Sequence, residues 1–520
     1  MSISILTPAA MRRADSFAIR HVGIPGMVLM ENAARAAADL ALERWPGAQR
    51  VAILCGGGNN GGDGLAVARL LHAAGLEVRA LLLVDPKRLA GDAARQLRIA
   101  GRFGVPVEAA RSGSSFRGLG EFDLLIDALF GTGLARPVEG SFRAAVRAMN
   151  RASRPILALD IPSGLDGSRG EPPGEFVRAD VTISFGAAKW AHVLPPACEA
   201  CGELVVADIG IPAEAIERAR APRFGPAARL FDADDLDLVI PVRSRSAHKG
   251  DFGHLLLVAG GRGQAGAAIL AARGALRSGI GLLTVASPAG IVPILQAAVP
   301  EAMCLPLPEG EDGRPSLAAA GTLREAFAGK SALAIGPGLG TGAGAAALVA
   351  EAHSFPRAMV VDADALNLLA SGKGGRWHRP RGAPLAVLTP HPGEAARLLG
   401  AGSSGSVQAD RPAAALELAR RWQTVAVLKG EGTLIATPDG ALGWNPTGTP
   451  GLATGGSGDV LAGVTGAFLA RGIEPFEAAS AAAWLHGRAG EEETAVRGEE
   501  GLAAGDLPDR IAEILGRRGR

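Results

Sequence analysis

The sequence predicts an α/β protein built from two successive units. Three observations carry that expectation: chain length, a glycine- and alanine-rich composition, and a recurring pattern of short apolar runs that end in glycine turns. At 520 residues the chain exceeds the size at which one hydrophobic core keeps growing, so two domains are the simplest fit. Apolar residues make up 48% and aromatic residues 4%, with 73 Gly and no Tyr, a composition that suits closely packed helices on sheets and not a disordered chain. The formal net charge is only +1, which removes the electrostatic case for nucleic acid or an anionic membrane as a main partner and leaves small molecules.

In the first unit, the apolar run from Val51 to Cys55 leads into a glycine cluster, a helical stretch Leu65 to Ala74 closed by Gly75, and a second run Val78 to Val84. Strand, glycine turn, helix and strand in that order make one parallel βαβ unit. Further buried strands are expected at Leu124 to Leu129, Ile156 to Ile161, Val181 to Phe185 and Leu204 to Ile209, completing a Rossmann-like sheet. Residues 1–220 form this domain. Residues 221–246, rich in Pro, Arg and Asp, read as a linker, and residues 247–520 as a second α/β domain. There His254 to Ala259, a helix Ala265 to Ser278 and Leu282 to Ala286 open a second sheet, which continues through Val425 to Leu428 and ends on a helix Val460 to Ala470.

Met1 to Arg13 lacks a basic stretch followed by a long apolar run, and no later apolar stretch is long enough to span a bilayer, so a cytoplasmic protein without membrane contact is expected. Cys55, Cys198, Cys201 and Cys304 are too few and too scattered for a disulfide framework. Cys198 and Cys201 form a C-x-x-C, but without a second pair they read as loop residues before zinc or redox ligands. Lysine is rare, occurring only at Lys87, Lys189, Lys249, Lys330, Lys373 and Lys429, so a lysine within a glycine-rich motif is informative.

The first turn reads Cys55-Gly-Gly-Gly-Asn-Asn-Gly-Gly-Asp-Gly64. Gly56, Gly58 and Gly61 satisfy G-x-G-x-x-G between a strand and a helix, where glycines admit a pyrophosphate and the helix N-terminus offers N–H groups to it. Asn59, Asn60 and Asp63 add more polar side chains than phosphate binding requires, and suit metal coordination or substrate hydrogen bonds. Three clusters follow at strand ends: Asp127-Ala-Leu-Phe-Gly-Thr-Gly-Leu-Ala-Arg-Pro137, Leu159-Asp-Ile-Pro-Ser-Gly-Leu-Asp-Gly167 and Thr182-Ile-Ser-Phe-Gly-Ala-Ala-Lys189. Ligands of open α/β sheets gather at such ends. A single Asp there is usually a turn former, whereas several on adjacent strands point to a site.

In the second unit, Thr454-Gly-Gly-Ser-Gly-Asp459 opens directly into a helix. Successive N–H groups there can stabilise a transferring phosphoryl group, with Asp459 placed to take a hydroxyl proton. Its companions are Lys429-Gly-Glu-Gly-Thr433, Ile335-Gly-Pro-Gly-Leu-Gly340, Asp362-Ala-Asp-Ala-Leu-Asn367 and Leu388-Thr-Pro-His-Pro-Gly-Glu394. The prolines around His391 fix its backbone and favour an aimed side chain. Gly261-x-Gly263-x-x-Gly266 repeats the dinucleotide pattern, a weak signal alone.

The first set of motifs, over about Met11 to Ile211 and including Met30-Glu-Asn-Ala33, resembles the NAD(P)H-hydrate epimerase family. The second, over roughly Ala247 to Leu515 and including His248-Lys-Gly-Asp-Phe-Gly253, resembles the ADP- or ATP-dependent NAD(P)H-hydrate dehydratases, a branch of the ribokinase-like kinases. The resemblance implies an N-terminal Rossmann-like three-layer αβα domain joined to a C-terminal ribokinase-like α/β domain. It implies that Asn59, Asn60, Gly61, Gly62, Asp63, then Gly131, Thr132, Gly133, Leu134, Ala135, Arg136, Pro137, and Asp160 hold the first substrate, and that Asn60, Asp127 and Ser163 bind potassium. Asp160 is the candidate acid/base group or only orients the substrate. Lys189 neutralises phosphate or pairs with a local carboxylate. In the second unit the resemblance implies that Lys429, Gly430, Glu431, Gly432, Thr433 and Gly458 bind the nucleotide. Ala267, Gly338, His391 and Asp459 contact the hydrate, with Asp459 catalytic and magnesium on the nucleotide. The implied substrates are NADH hydrate and NADPH hydrate, with ADP as co-substrate and a homo-oligomeric assembly. A vitamin or sugar kinase fused to a dinucleotide-binding domain, and a non-catalytic nucleotide sensor, are the alternatives.

Overall fold

A computed structural model describes residues 3–110, 113–134 and 136–518; Ala135, expected at the first site, lies outside them. The chain divides into two compact units, Ile3–Ala228 and Arg229 onward. Among the described residues no helix is long and apolar enough to cross a membrane.

The first unit is built on seven parallel strands in the order Val107–Ala109, Glu77–Leu82, Arg50–Cys55, Leu124–Ala128, Ile156–Leu159, Val181–Phe185 and Glu203–Ala207. The central strands are buried along their length, as parallel strands covered on both faces must be. One face packs Val51, Ile53 and Ile126 with the helices Gly26–Arg44 and Asn59–Ala73. The other packs Ala52, Leu54 and Leu125 with the helix Gly140–Arg151. The three-layer αβα arrangement is thus present. A short parallel pair, Ser4–Leu6 with Ala188–Lys189, lies beside it.

The glycine cluster folds differently from the expected loop. The helix begins at Asn59, six residues before Leu65, so Asn59 to Gly64 form its first turns. The glycines there are needed for close approach and not for turning. A Cβ on Gly61 would lie 2.0 Å from the Gly56 carbonyl oxygen, and one on Gly64 2.5 Å from Ala128. Only hydrogen fits, and the helix start is thereby seated against the strand ends.

In the second unit parallel strands run in the order Met303–Leu307, Leu282–Pro288, His254–Val258, Ala332–Ile335, Ala358–Val361, Val387–Leu388 and Val425–Leu428. Two antiparallel strands, Thr433–Ala436 and Leu442–Asn445, extend the sheet, and Arg229 and Leu230 pair in parallel with Gly443 and Trp444. The segment 221–246 therefore contains this strand, and also a helix Ala233–Val239 capped by Asp232. The helix Ser457–Ala470 is buried on all sides from Val460 onward, which explains its lack of a polar face. It crosses the helix Ala265–Arg277 where a Cβ on Gly463 would meet the Ala271 carbonyl oxygen at 2.0 Å.

Candidate active sites

In the first unit the strand order brings the predicted residues to one edge. Asp160 follows the strand Ile156–Leu159 with a positive φ of 66°, a strained geometry for a residue with a side chain. Its Oδ1 accepts a hydrogen bond from Lys189 Nζ at 2.5 Å, and its Oδ2 accepts one from the Thr132 N–H at 3.2 Å. Lys189 is fully buried and also donates to Ser184 Oγ (2.9 Å) and the Phe185 carbonyl (3.2 Å). Of the two roles open to Lys189, the structure selects pairing with a local carboxylate. A Cβ on Gly131 would stand 2.8 Å from Asp160 Oδ2 and 3.4 Å from Asn60 Oδ1, so the loop after Asp127 closes over both side chains. Leu134 turns its side chain into the core, and Arg136 and Pro137 are exposed.

Asn60 is buried, with both side-chain atoms unpartnered among the described residues. An amide left so is costly unless a ligand fills the gap. Asp127 is completely buried. Its Oδ1 accepts from Ser163 Oγ (2.7 Å) and the Leu129 N–H (3.2 Å), and its Oδ2 from the Ser163 N–H (2.7 Å). Burial nevertheless pushes its carboxyl up to about 6, against these hydrogen bonds, because removal from water disfavours the charged form. Asp63 is raised well above the usual range by burial, with Asp160 and Asp15 adding to it. Asp15, on the helix Pro8–Phe17, went unrecognised in the sequence; burial raises its carboxyl to about 6, opposed by Lys189 and reinforced by Asp160. No local motif marks it, because the fold alone brings that helix to the site.

In the second unit Lys429 Nζ donates to Asp362 Oδ1 at 3.0 Å, and Thr389 Oγ1 donates to the same oxygen at 2.8 Å. A Cβ on Gly458 would lie 3.2 Å from Lys429 Nζ, so the ammonium stands at the helix start of Ser457–Ala470. Asp459, one residue on, is raised to about 7, first by burial, then by Asp362, with Lys429 opposing. Its carboxyl accepts no hydrogen bond from the described residues. Asp362, named in the sequence only as part of a motif, is thus the partner that holds Lys429. His486 Nε2 hydrogen-bonds the Ser457 carbonyl at 2.9 Å, tying down the helix start from an alanine-rich helix that gave no signal.

The expected contact pair Ala267 and Gly338 is brought together: a Cβ on Gly338, which has φ 62°, would lie 2.9 Å from Ala267 Cβ. Asp364 Oδ2 accepts the Gly340 N–H at 2.7 Å and holds that loop. His391 caps the helix Pro392–Leu399, its Nδ1 accepting the Gly393 N–H at 3.0 Å and its Nε2 3.5 Å from Glu394 Oε1. This leaves the ring proton on Nε2. The stretch His248 to Gly253 lies at the opposite end of the sheet, where a Cβ on Gly253 would meet the Ala470 carbonyl at 1.9 Å; its glycine serves packing. Cys198 and Cys201 are not joined by a disulfide. Among the described residues no group of three or more His, Cys, Asp or Glu could hold a metal ion.

Fold and sites define the class: a two-unit α/β protein with a cluster of buried polar groups at the strand ends of each unit. A family profile described as NAD(P)H-hydrate dehydratase matches residues 255–515, and one described as YjeF-related protein N-terminus matches residues 26–191. The bifunctional NAD(P)H-hydrate repair enzyme Nnr of Moorella thermoacetica is 41% identical over 98% of this chain and 96% of its own length. Its Escherichia coli counterpart is 36% identical over 97% of this chain and 92% of its own length. The chain belongs to the bifunctional NAD(P)H-hydrate repair enzyme family. Among solved structures, an ADP/ATP-dependent NAD(P)H-hydrate dehydratase from Bacillus subtilis, co-crystallized with ATP/Mg2+, is 34% identical, covering 54% of this chain and 95% of that one with a TM-score of 0.47.

Proposed function

We propose that the chain restores hydrated NADH and NADPH, its first unit interconverting the R and S forms and its second dehydrating the S form with ADP. The observation that carries the second activity is Asp459, a carboxyl that accepts no hydrogen bond among the described residues, with a proton affinity near neutrality, beside a lysine at a helix N-terminus. Asp459 takes the proton of the hydrate's hydroxyl, and the oxygen attacks the terminal phosphorus of ADP, releasing AMP. Lys429 and the N–H groups from Gly458 onward stabilise the charge that develops. The ring nitrogen then expels phosphate, and the neighbouring ring carbon gives up a proton to restore the dihydropyridine. Magnesium, which when bound neutralises phosphate charge, finds no cage of acidic ligands among the described residues and would arrive on the nucleotide. Lys429 to Thr433 hold that nucleotide; Ala267, Gly338 and His391 face the hydrate.

In the first unit the ring nitrogen expels hydroxide and water returns on the other face. Asp160 carries the proton in both directions, and Lys189 keeps its carboxyl positioned. Asn59 to Asp63 and Gly131 to Pro137 hold the dinucleotide. Asn60, Asp127 and Ser163 fit a potassium ion, since all three offer oxygen and Asn60 Oδ1 is buried without a partner among the described residues; such an ion would hold Asp127 ionised and order the loop. We assign these activities to residues 1–220 and 247–520. The near-full-length likeness to repair enzymes supports this reading over a vitamin or sugar kinase. Incubation with NADH hydrate, and in parallel with hydroxymethylpyrimidine or thiazole alcohols, each with ADP or ATP, tests it. ADP-dependent recovery of NADH absorbance is the expected result, and phosphorylation of the alcohols alone would overturn it.

A further inference from the structure

Arg411 opens the helix Arg411–Trp422 and is only 4% exposed. Burying a guanidinium is expensive unless it is paired, yet no carboxylate among the described residues hydrogen-bonds to it. Its Nη2 donates to the carbonyls of Leu428 (3.2 Å), Lys429 (3.4 Å) and Gly432 (3.3 Å), and its Nη1 to Gln408 Oε1 (2.7 Å). Its Nε is buried and bonds nothing among the described residues. All three carbonyls belong to the hairpin that joins the strands Val425–Leu428 and Thr433–Ala436. The turn requires glycine twice, Gly430 having φ 130° and Gly432 φ 61°. A Cβ on Gly430 would come within 3.0 Å of Arg411 Nη1, so the guanidinium lies directly beneath the turn.

The other side of the turn is left open. The N–H groups of Gly430, Glu431 and Gly432 donate to no described residue. In a trans peptide the C=O and N–H point in opposite directions, so fastening the Lys429 carbonyl to Arg411 aims the Gly430 N–H away from it. Consecutive unspent N–H groups form a concave anion site, here above a buried positive charge. Burial works against that charge, lowering the guanidinium to about 10, while Glu431 supports it.

We propose that Arg411 is the positioning residue of the nucleotide loop: by holding the carbonyls of Leu428, Lys429 and Gly432 it presents the loop's N–H groups, backed by its own charge, to the anionic nucleotide. This rests on assigning Lys429 to Thr433 to the nucleotide, and the test separates the two. In the full chain, Arg411→Lys and Arg411→Ala are compared with Lys429→Met for ADP-driven dehydration and for AMP binding by calorimetry. Both Arg411 variants raise the KM for ADP and weaken AMP about tenfold or more, a difference of one decade in affinity, while kcat at saturating ADP and the KM for the hydrate stay within about twofold, the pattern of lost uniform binding. Added guanidinium ion, but not ammonium, restores ADP affinity to Arg411→Ala. An unchanged ADP KM, loss of kcat with unchanged KM values, or no guanidinium rescue would overturn the role of Arg411 and leave the loop assignment standing. Unchanged AMP binding in Lys429→Met would remove both.

Discussion

A carboxyl that must accept a hydroxyl proton at neutral pH needs a proton affinity near that pH, and burial together with Asp362 lifts Asp459 to about 7. The working form is the ionised one, so kcat/KM for dehydration is expected to rise as pH rises through about 7 and to level off above it, which a pH profile of kcat/KM checks. Asp459→Asn should remove ADP-driven dehydration by about 10²- to 10⁴-fold, the usual worth of a general base. The pair of Lys189 and Asp160 has a different logic. Both groups are buried at 2.5 Å, and removing one partner leaves an uncompensated charge. Lys189→Met is expected to cost about 3–5 kcal/mol in the stability of the first unit, measured by urea denaturation. Asp160 was legible because the D-I-P-S-G-L-D-G string follows a strand, whereas its ion pair depends on a residue 29 positions away that only folding delivers.

The elements place these residues by close approach. The helix Asn59–Ala73 begins inside the glycine cluster because Gly61 and Gly64 allow its first turns to touch Gly56 and Ala128. Pattern reading started that helix six residues late, since glycines count as helix breakers when propensity is weighed alone and packing is unknown. Gly61→Ala would drive a methyl into the Gly56 carbonyl, with an expected loss of about 1–3 kcal/mol and of epimerase activity, read by denaturant midpoint and turnover together. Gly463→Ala should push the helices Ser457–Ala470 and Ala265–Arg277 apart in the same way, moving both the Asp459 end of one and Ala267 of the other. Its dehydratase activity is expected to fall while epimerase activity is kept. The hairpin bearing Lys429 to Thr433 was read only as a turn after a strand, because nothing in the local pattern announces that the next two strands reverse direction.

At the scale of the whole molecule, the groups proposed for each activity lie within one unit, so each activity should fail alone. With a mixture of both hydrate epimers, the unaltered chain is expected to convert all of it. Asp160→Asn should convert one epimer at full rate and the other only as fast as it epimerises unaided; Asp459→Asn should form NADH from either epimer only at the strongly reduced rate given above. Chromatographic resolution of the two epimers over time checks this, and conversion of both by Asp160→Asn at the unaltered rate would remove Asp160 from the chemistry. Period, glycine turns and strand-end polar residues determined, from the sequence, the α/β class, the two-unit plan and the motif residues, because these signals are local: a strand or helix start is encoded within about ten residues of itself. Which distant groups meet was decided by the tertiary structure alone. Asp15 comes within electrostatic range of Asp160 and Lys189, Asp362 holds Lys429, His486 secures Ser457 and Arg411 underlies the hairpin of Lys429 to Thr433, since such juxtapositions depend on strand order and packing, and burial, which sets the proton affinities of Asp15, Asp127 and Asp459, exists only once the chain has folded.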